Sequence, residues 1–225
     1  MANRGKLGWM TDSGDRQEAD ARTAPRRNRR GERTRKTLLD ATVKSLHQRG
    51  YGGTTVEAVM NDTGISRGSV LNQFPTRLDL IIAAAEHGMS EMIGHTSGEL
   101  ETYDDAAACY RAFCDITWRS YQLPAASAVT ETLLAARWDK ELAAAFRPIA
   151  ERVETEIDGL VARIATQSGI ADIDGSIVHA RILILSLRGI TLELAYDPGR
   201  PLILRALERI RAEHAAHCDT VLPVG

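Results

Sequence analysis

Residues 54–77 read TTVEAVMNDTGISRGSVLNQFPTR, and the rest of the chain is organised around them. Thr54 and Thr55 are N-cap residue types placed ahead of Val56, Val59 and Met60, which share one face at helical spacing, and Gly64 is a helix stop. Ser66 can cap a second helix at once. In it Val70 and Phe74 fall four apart on one face, and Pro75 limits its length. Two short helices joined by a glycine-containing turn predict a helix-turn-helix, whose first helix braces the second while the second enters the DNA major groove.

Working outward, Leu39, Val43 and Leu46 predict a helix over residues 34–49, stopped by Gly50, with Tyr51 packing on the same core. Downstream, Leu80, Ile81, Ile82, Ala84 and Ala85 predict a helix from Leu78 toward Met89 and Met92, closed by Gly94 and Gly98. It is the covalent lever between this unit and everything after it. Residues 1–33 are rich in Gly, Arg, Asp and Ala without apolar periodicity and read as a disordered basic extension. Between Arg22 and Lys36 stand eight basic residues against Glu32 alone, which is either a solvated tail or an arm that neutralises phosphates or enters the minor groove.

The combination of Gly50-Tyr51, the threonine pair, Gly64-Ile65-Ser66-Arg67-Gly68-Ser69 and Phe74-Pro75-Thr76-Arg77 resembles the tetracycline-repressor (TetR) family of bacterial transcription regulators. Met60 and Thr63 depart from that pattern, standing where a small alanine is common, and Leu71 stands where a tyrosine often touches the phosphate backbone. The resemblance implies an all-α protein in two parts: a three-helix DNA-binding domain over residues 34–78 and a larger helical ligand-binding and dimerisation domain over residues 79–225. It also implies a repressor, released by a small molecule from a palindromic operator.

Composition agrees with a globular chain: 225 residues, 44% hydrophobic and 26% charged. No apolar run of about 18 residues is present to span a membrane, and the polar N-terminus lacks a secretory h-region, so the cytoplasm is the expected compartment. Cys109, Cys114 and Cys218 form no CxxC pair and suit a reducing interior. The net charge of −2 hides an asymmetry. Residues 1–77 hold 15 Lys and Arg against 8 Asp and Glu, net +7, whereas residues 78–225 hold 13 against 22, net −9. One end suits a polyanion and the other repels it.

Beyond an acidic linker at residues 99–105 every segment reads as helix: 106–121, 125–138, 139–167 with a bend at Pro148, 177–196, and 201–218. No stretch alternates with period two. In residues 177–196, Leu183, Leu187, Ile190 and Leu194 form one stripe, and Ile182, Leu185 and Leu192 another. A helix apolar on several faces must be buried on several faces: either one packs on its own domain and the other meets a second protein, or both belong to a single intramolecular core. The resemblance makes that protein a second copy, in a homodimer. A charge at Leu187 or Ile190 is then expected to dissociate the dimer or unfold the domain.

For double-stranded DNA, the family roles fall on Thr54 or Thr55 as a phosphate site at a helix N-terminus, on Ser66, Arg67, Gly68 and Ser69 at the start of the recognition helix, and on Leu71, Asn72 and Gln73 behind them. Arg67 can pair with guanine, and Arg77 is placed as a phosphate clamp. For a small apolar or aromatic ligand, the candidates are the stripe Tyr110, Phe113, Thr117 and Tyr121, with Trp118 and Trp138 nearby. His214, His217 and Cys218 hold two imidazoles and a thiol on one helix, short of the ligands a metal site needs, so no metal is expected. No GxSxG elbow occurs, since the one stretch with that spelling, Gly64 to Gly68, lies between two predicted helices rather than after a strand; nor does HExxH, a P-loop or GxGxxG after a strand, so neither an enzyme nor a cofactor is expected. A DNA-binding protein answering to a protein partner is the first alternative, and a cavity among the aromatic residues separates the two; a helical enzyme whose catalytic groups converge from distant helices is the second.

Overall fold

The computed structural model describes residues 26–223, which form nine α-helices and no strand. Helix α1 (Arg26–Gly53) starts well before the expected Thr34, so the extension is helical from Arg26 onward. Residues 1–25, including Arg22, lie outside the described residues. Leu38, Val43 and Leu46 line its inner face. At Gly50 the backbone turns to φ 68°, a conformation that strains any residue with a Cβ.

Helix α2 (Val56–Thr63) is capped by the Thr55 hydroxyl, which accepts from the Ala58 N–H, and it ends on left-handed Gly64. Helix α3 (Arg67–Gln73) is capped by Ser66. Helix α4 (Arg77–Leu100) opens with a reciprocal capping box between Thr76 and Asp79. It runs through Gly94 and Gly98 rather than closing there. Neither glycine takes a positive φ, and the intrinsic penalty of about 1 kcal/mol each is small against the packing that continues to buried Leu100.

Helices α5 (Ala106–Tyr121), α6 (Pro124–Ala135), α7 (Lys140–Gln167), α8 (Ile173–Tyr196) and α9 (Pro201–Val221) complete the bundle. Asp105, Asp139 and Asp172 cap three of them, and Pro124 and Pro201 start the other two. Pro148 lies inside α7, where it leaves one carbonyl without its helical donor. No helix among the described residues is long and apolar enough to cross a membrane.

Three apolar clusters hold the fold. The first joins α1–α4 to Ala125 and Ala128 of α6 and to Leu142 of α7. The second gathers Phe113, Tyr121, Val161, Leu183, Leu187 and Leu207, and the third closes the far end around Ile116, Ile164 and Cys218. The N-terminal helices are thus docked on α6 as well as tethered through α4. Glu131 accepts the Tyr51 N–H at 3.0 Å, and the Tyr51 hydroxyl donates to Asp139 at 3.0 Å.

Candidate nucleic-acid interface and interior cavity

The helix-turn-helix is held by contacts that leave one edge of α3 open. Arg49 of α1 pairs with both carboxylate oxygens of Asp62 at the end of α2, at 2.6 and 2.9 Å. Val70 and Phe74 are buried beneath α3, and Arg35 lies over the Phe74 ring, 4.5 Å from its centroid. Ser66, Arg67, Gly68, Ser69 and Asn72 are exposed together, with Leu71 and Gln73 half-buried beside them. A Cβ built on Gly68 meets nothing within 4 Å, so that part of the helix lies open. Arg67 is held by Glu57 at 2.7 Å, with both side chains about 60% exposed, so the guanidinium can exchange this partner at small cost.

Two expected phosphate contacts have other occupations. Thr54 is fully buried: its hydroxyl donates to the Gly50 carbonyl at 2.9 Å and pairs with Ser45 at 3.1 Å. Thr55 keeps a position at the N-terminus of α2, its hydroxyl turned inward as the cap. Arg77 points back into the protein, donating to the carbonyls of Thr54 and Tyr51 and stacking 4.3 Å from the Tyr51 ring centroid. It pins the start of α4 to the turn after α1. The motif placed both residues correctly along the chain, but side-chain direction depends on tertiary partners that spacing does not carry.

Within the larger part a cavity of about 180 Å³ opens between α4, α5, α6, α7 and α8. Of the six expected ligand residues, Phe113, Thr117 and Tyr121 line it. Tyr110 faces away toward α9, where its hydroxyl meets His217 Nε2 at 3.0 Å. Trp118 packs beside the second cluster without reaching the cavity wall, and Trp138 is 83% exposed beyond the end of α6. Helical stripes drift with position, so neighbours along the sequence end on different faces. Met89, Met92 and Ile93 of α4 and Phe146 of α7 form wall that the aromatic stripe did not announce. At the polar end, Ser120 pairs with Thr96 at 2.8 Å and with His95 at 3.0 Å.

The histidines of α9 are engaged with protein. His214 Nε2 donates to the Tyr110 carbonyl at 3.0 Å, which leaves its Nδ1 to accept from His179 Nε2 at 3.0 Å. His179 and His217 stack with centroids 3.7 Å apart. Among the described residues no group of three or more His, Cys, Asp or Glu could hold a metal ion. The three cysteines are buried, and burial pushes the Cys114 and Cys218 thiols up to about 11, far from the range of a reactive thiolate.

Residues 38–84 match the family described as bacterial regulatory proteins, tetR family. The N-terminal unit of this chain belongs to the TetR family. Over 66 residues it is 35% identical to the HTH-type transcriptional regulator CymR of Pseudomonas putida, a match that spans 28% of this chain and 32% of that protein. Three solved structures extend the likeness in fold to the remainder. A TetR-family regulator from Cytophaga hutchinsonii superposes with a TM-score of 0.68 at 14% identity, covering 87% of this chain and 98% of that one. A regulator from Saccharomonospora viridis, in complex with choline, gives 0.62 at 14% identity over 86% of this chain and 100% of that one. FadR from Bacillus subtilis, in complex with stearoyl-CoA, gives 0.59 at 14% identity over 80% and 97%.

Proposed function

We propose that the protein is a transcriptional repressor that binds a palindromic DNA operator as a homodimer and is released by a small, mostly apolar ligand held in the cavity between α4 and α8. The observation that carries this reading is the sharing of α4. Its first turn is pinned to the helix-turn-helix by Arg77, and its last turns supply Met89, Met92, Ile93, Thr96 and Ser97 to the cavity wall. A ligand that shifts the tilt of α4 moves the recognition helix, and in a two-fold dimer it changes the distance between the two recognition helices.

The dimer rests on the second stripe of α8. Val178, Ile182, Leu185, Leu192 and Tyr196 stand exposed, and with Gly189 they repeat at spacings of four and three, the pattern of a helix seam. The recognition edge, Ser66 to Ser69 with Asn72, and the basic start of α1 supply the base and phosphate contacts. The alternative, control by a protein partner, is favoured less because Phe113 and Tyr121 border a cavity rather than a solid core.

DNA binding measured against salt tests the reading. Affinity for the operator should fall steeply as salt rises, through release of counterions. Arg67→Ala should cost about 1–3 kcal/mol and relax specificity at one position. Binding that is insensitive to both would remove the recognition role from this edge.

A further inference from the structure

We infer that the cavity ligand is a small carboxylate, an otherwise apolar molecule whose one negative group is read by Arg188 and the hydroxyl of Tyr121. This rests on the ligand reading above and specifies its chemistry. Helix α8 presents Arg181, Ile184 and Arg188 to the cavity. The two arginines differ in their partners. Arg181 is committed to Asp158 at 2.5 Å and to Glu154 at 3.7 Å. Arg188 is half-buried and has no carboxylate partner among the described residues; its contact is Nε to the Tyr121 hydroxyl at 3.4 Å, long for such a bond.

A guanidinium carries five donors in a planar fork and stays protonated, so one that leaves water for an apolar wall calls for an acceptor of opposite charge. Tyr121 is buried and accepts from Arg188, which leaves its own O–H free to donate to the same oxyanion. The two groups together give the geometry of a carboxylate site: a fork and a hydroxyl on one side, apolar wall from Met92, Phe113, Val129, Phe146 and Ile184 on the other. The charge of Arg188 balances a monoanion, and the third arginine of the cavity wall, Arg163 of α7, is exposed to solvent. Of the carboxylates at the rim, Glu154 is taken by Arg181 and Glu156 is exposed to solvent. The volume of about 180 Å³ sets the size of the apolar body, since a cavity of roughly 150 Å³ holds a benzene ring.

Octanoate, octanamide and octylamine, nearly equal in shape and different in charge, test the proposal by titration calorimetry on the full-length protein. Octanoate should bind at least about tenfold more tightly than octanamide, and octylamine more weakly than either. Arg188→Met should abolish the preference for octanoate over octanamide while keeping the binding of octanamide. Tyr121→Phe, which keeps the ring and removes the donor, should reduce the preference in part and serves if Arg188→Met does not fold. Equal binding of octanoate and octanamide by the wild type, or an undiminished preference in Arg188→Met or Tyr121→Phe, overturns the carboxylate assignment and leaves the ligand cavity standing. Failure of all three probes to bind the wild type overturns both.

Discussion

Helix α8 carries two apolar stripes of similar composition and opposite fate. Ala180, Leu183, Leu187 and Ile190 are buried in the second cluster, whereas Val178, Ile182, Leu185 and Leu192 stand 45–59% exposed. Apolarity says that a stripe should leave water. It does not say whether the stripe leaves it inside one chain or between two. What separates the stripes is the neighbours that the fold supplies: α5, α7 and α9 cover the first, and among the described residues no helix covers the second.

The sharpest way to break that contrast is to place the same change on each stripe. Leu187→Ala should cost about 2–5 kcal/mol through transfer and cavity terms, and Leu187→Glu should unfold the domain outright. Leu185→Glu, two residues away, should leave a folded chain whose sedimentation mass falls from dimer to monomer. A Leu185→Glu protein that stays dimeric would place the interface elsewhere.

The second contrast is electrostatic. At the start of α8 the covered side meets α9 through His179, His214 and His217. Burial pushes all three imidazoles below the usual histidine range, His179 to about 4, with neighbouring imidazoles adding to the shift at His179 and His214. Asp172 beside His217, and Asp115 and the Tyr110 carbonyl beside His214, oppose the shift only in part. The folded state therefore binds fewer protons than the unfolded chain between about pH 6.5 and 4. Stability should be level above pH 7 and should fall as pH drops through that window, and His179→Gln should flatten the slope in thermal melts. An unchanged slope would assign the loss to carboxylates, which titrate lower.

The smallest effect sharpens the uncovered stripe. A Cβ on Gly189 meets nothing within 4 Å in the single chain. Gly189→Ala should raise monomer stability by up to about 1 kcal/mol through helix propensity. If two copies of α8 cross at this glycine, the same change should weaken dimerisation; a dimer strengthened in step with the monomer would move the crossing point.

The helix-turn-helix was legible because its determinants are local. Thr55, Gly64, Ser66 and Phe74 act within a few residues of themselves, and each occupies the role its spacing predicts. The long helices were legible as helices, but not the direction in which each face points. Leu187 and Leu185 read alike in sequence, and Trp138 read as a neighbour of a pocket that it does not reach. Arg188 was missed because a basic residue in an apolar helix suggests solvent. The available signal was its place four residues after Ile184, on a stripe that begins with another arginine.

The pairing of Tyr51 with α6 and α7 bears on how such a protein can be recombined. Exchanging the DNA-reading unit for a relative's by cutting at residue 78 would divide the first apolar cluster, stranding Ala125, Ala128 and Leu142 without their partners. It would also leave Glu131 and Asp139 facing a foreign turn in place of the Tyr51 N–H and hydroxyl. A chimaera that transplants the α6 face and the first turn of α7 along with the reading head keeps that seam native. The natural splice is therefore a surface rather than a point along the chain, and an interchangeable reader for this scaffold has to be drawn in three dimensions.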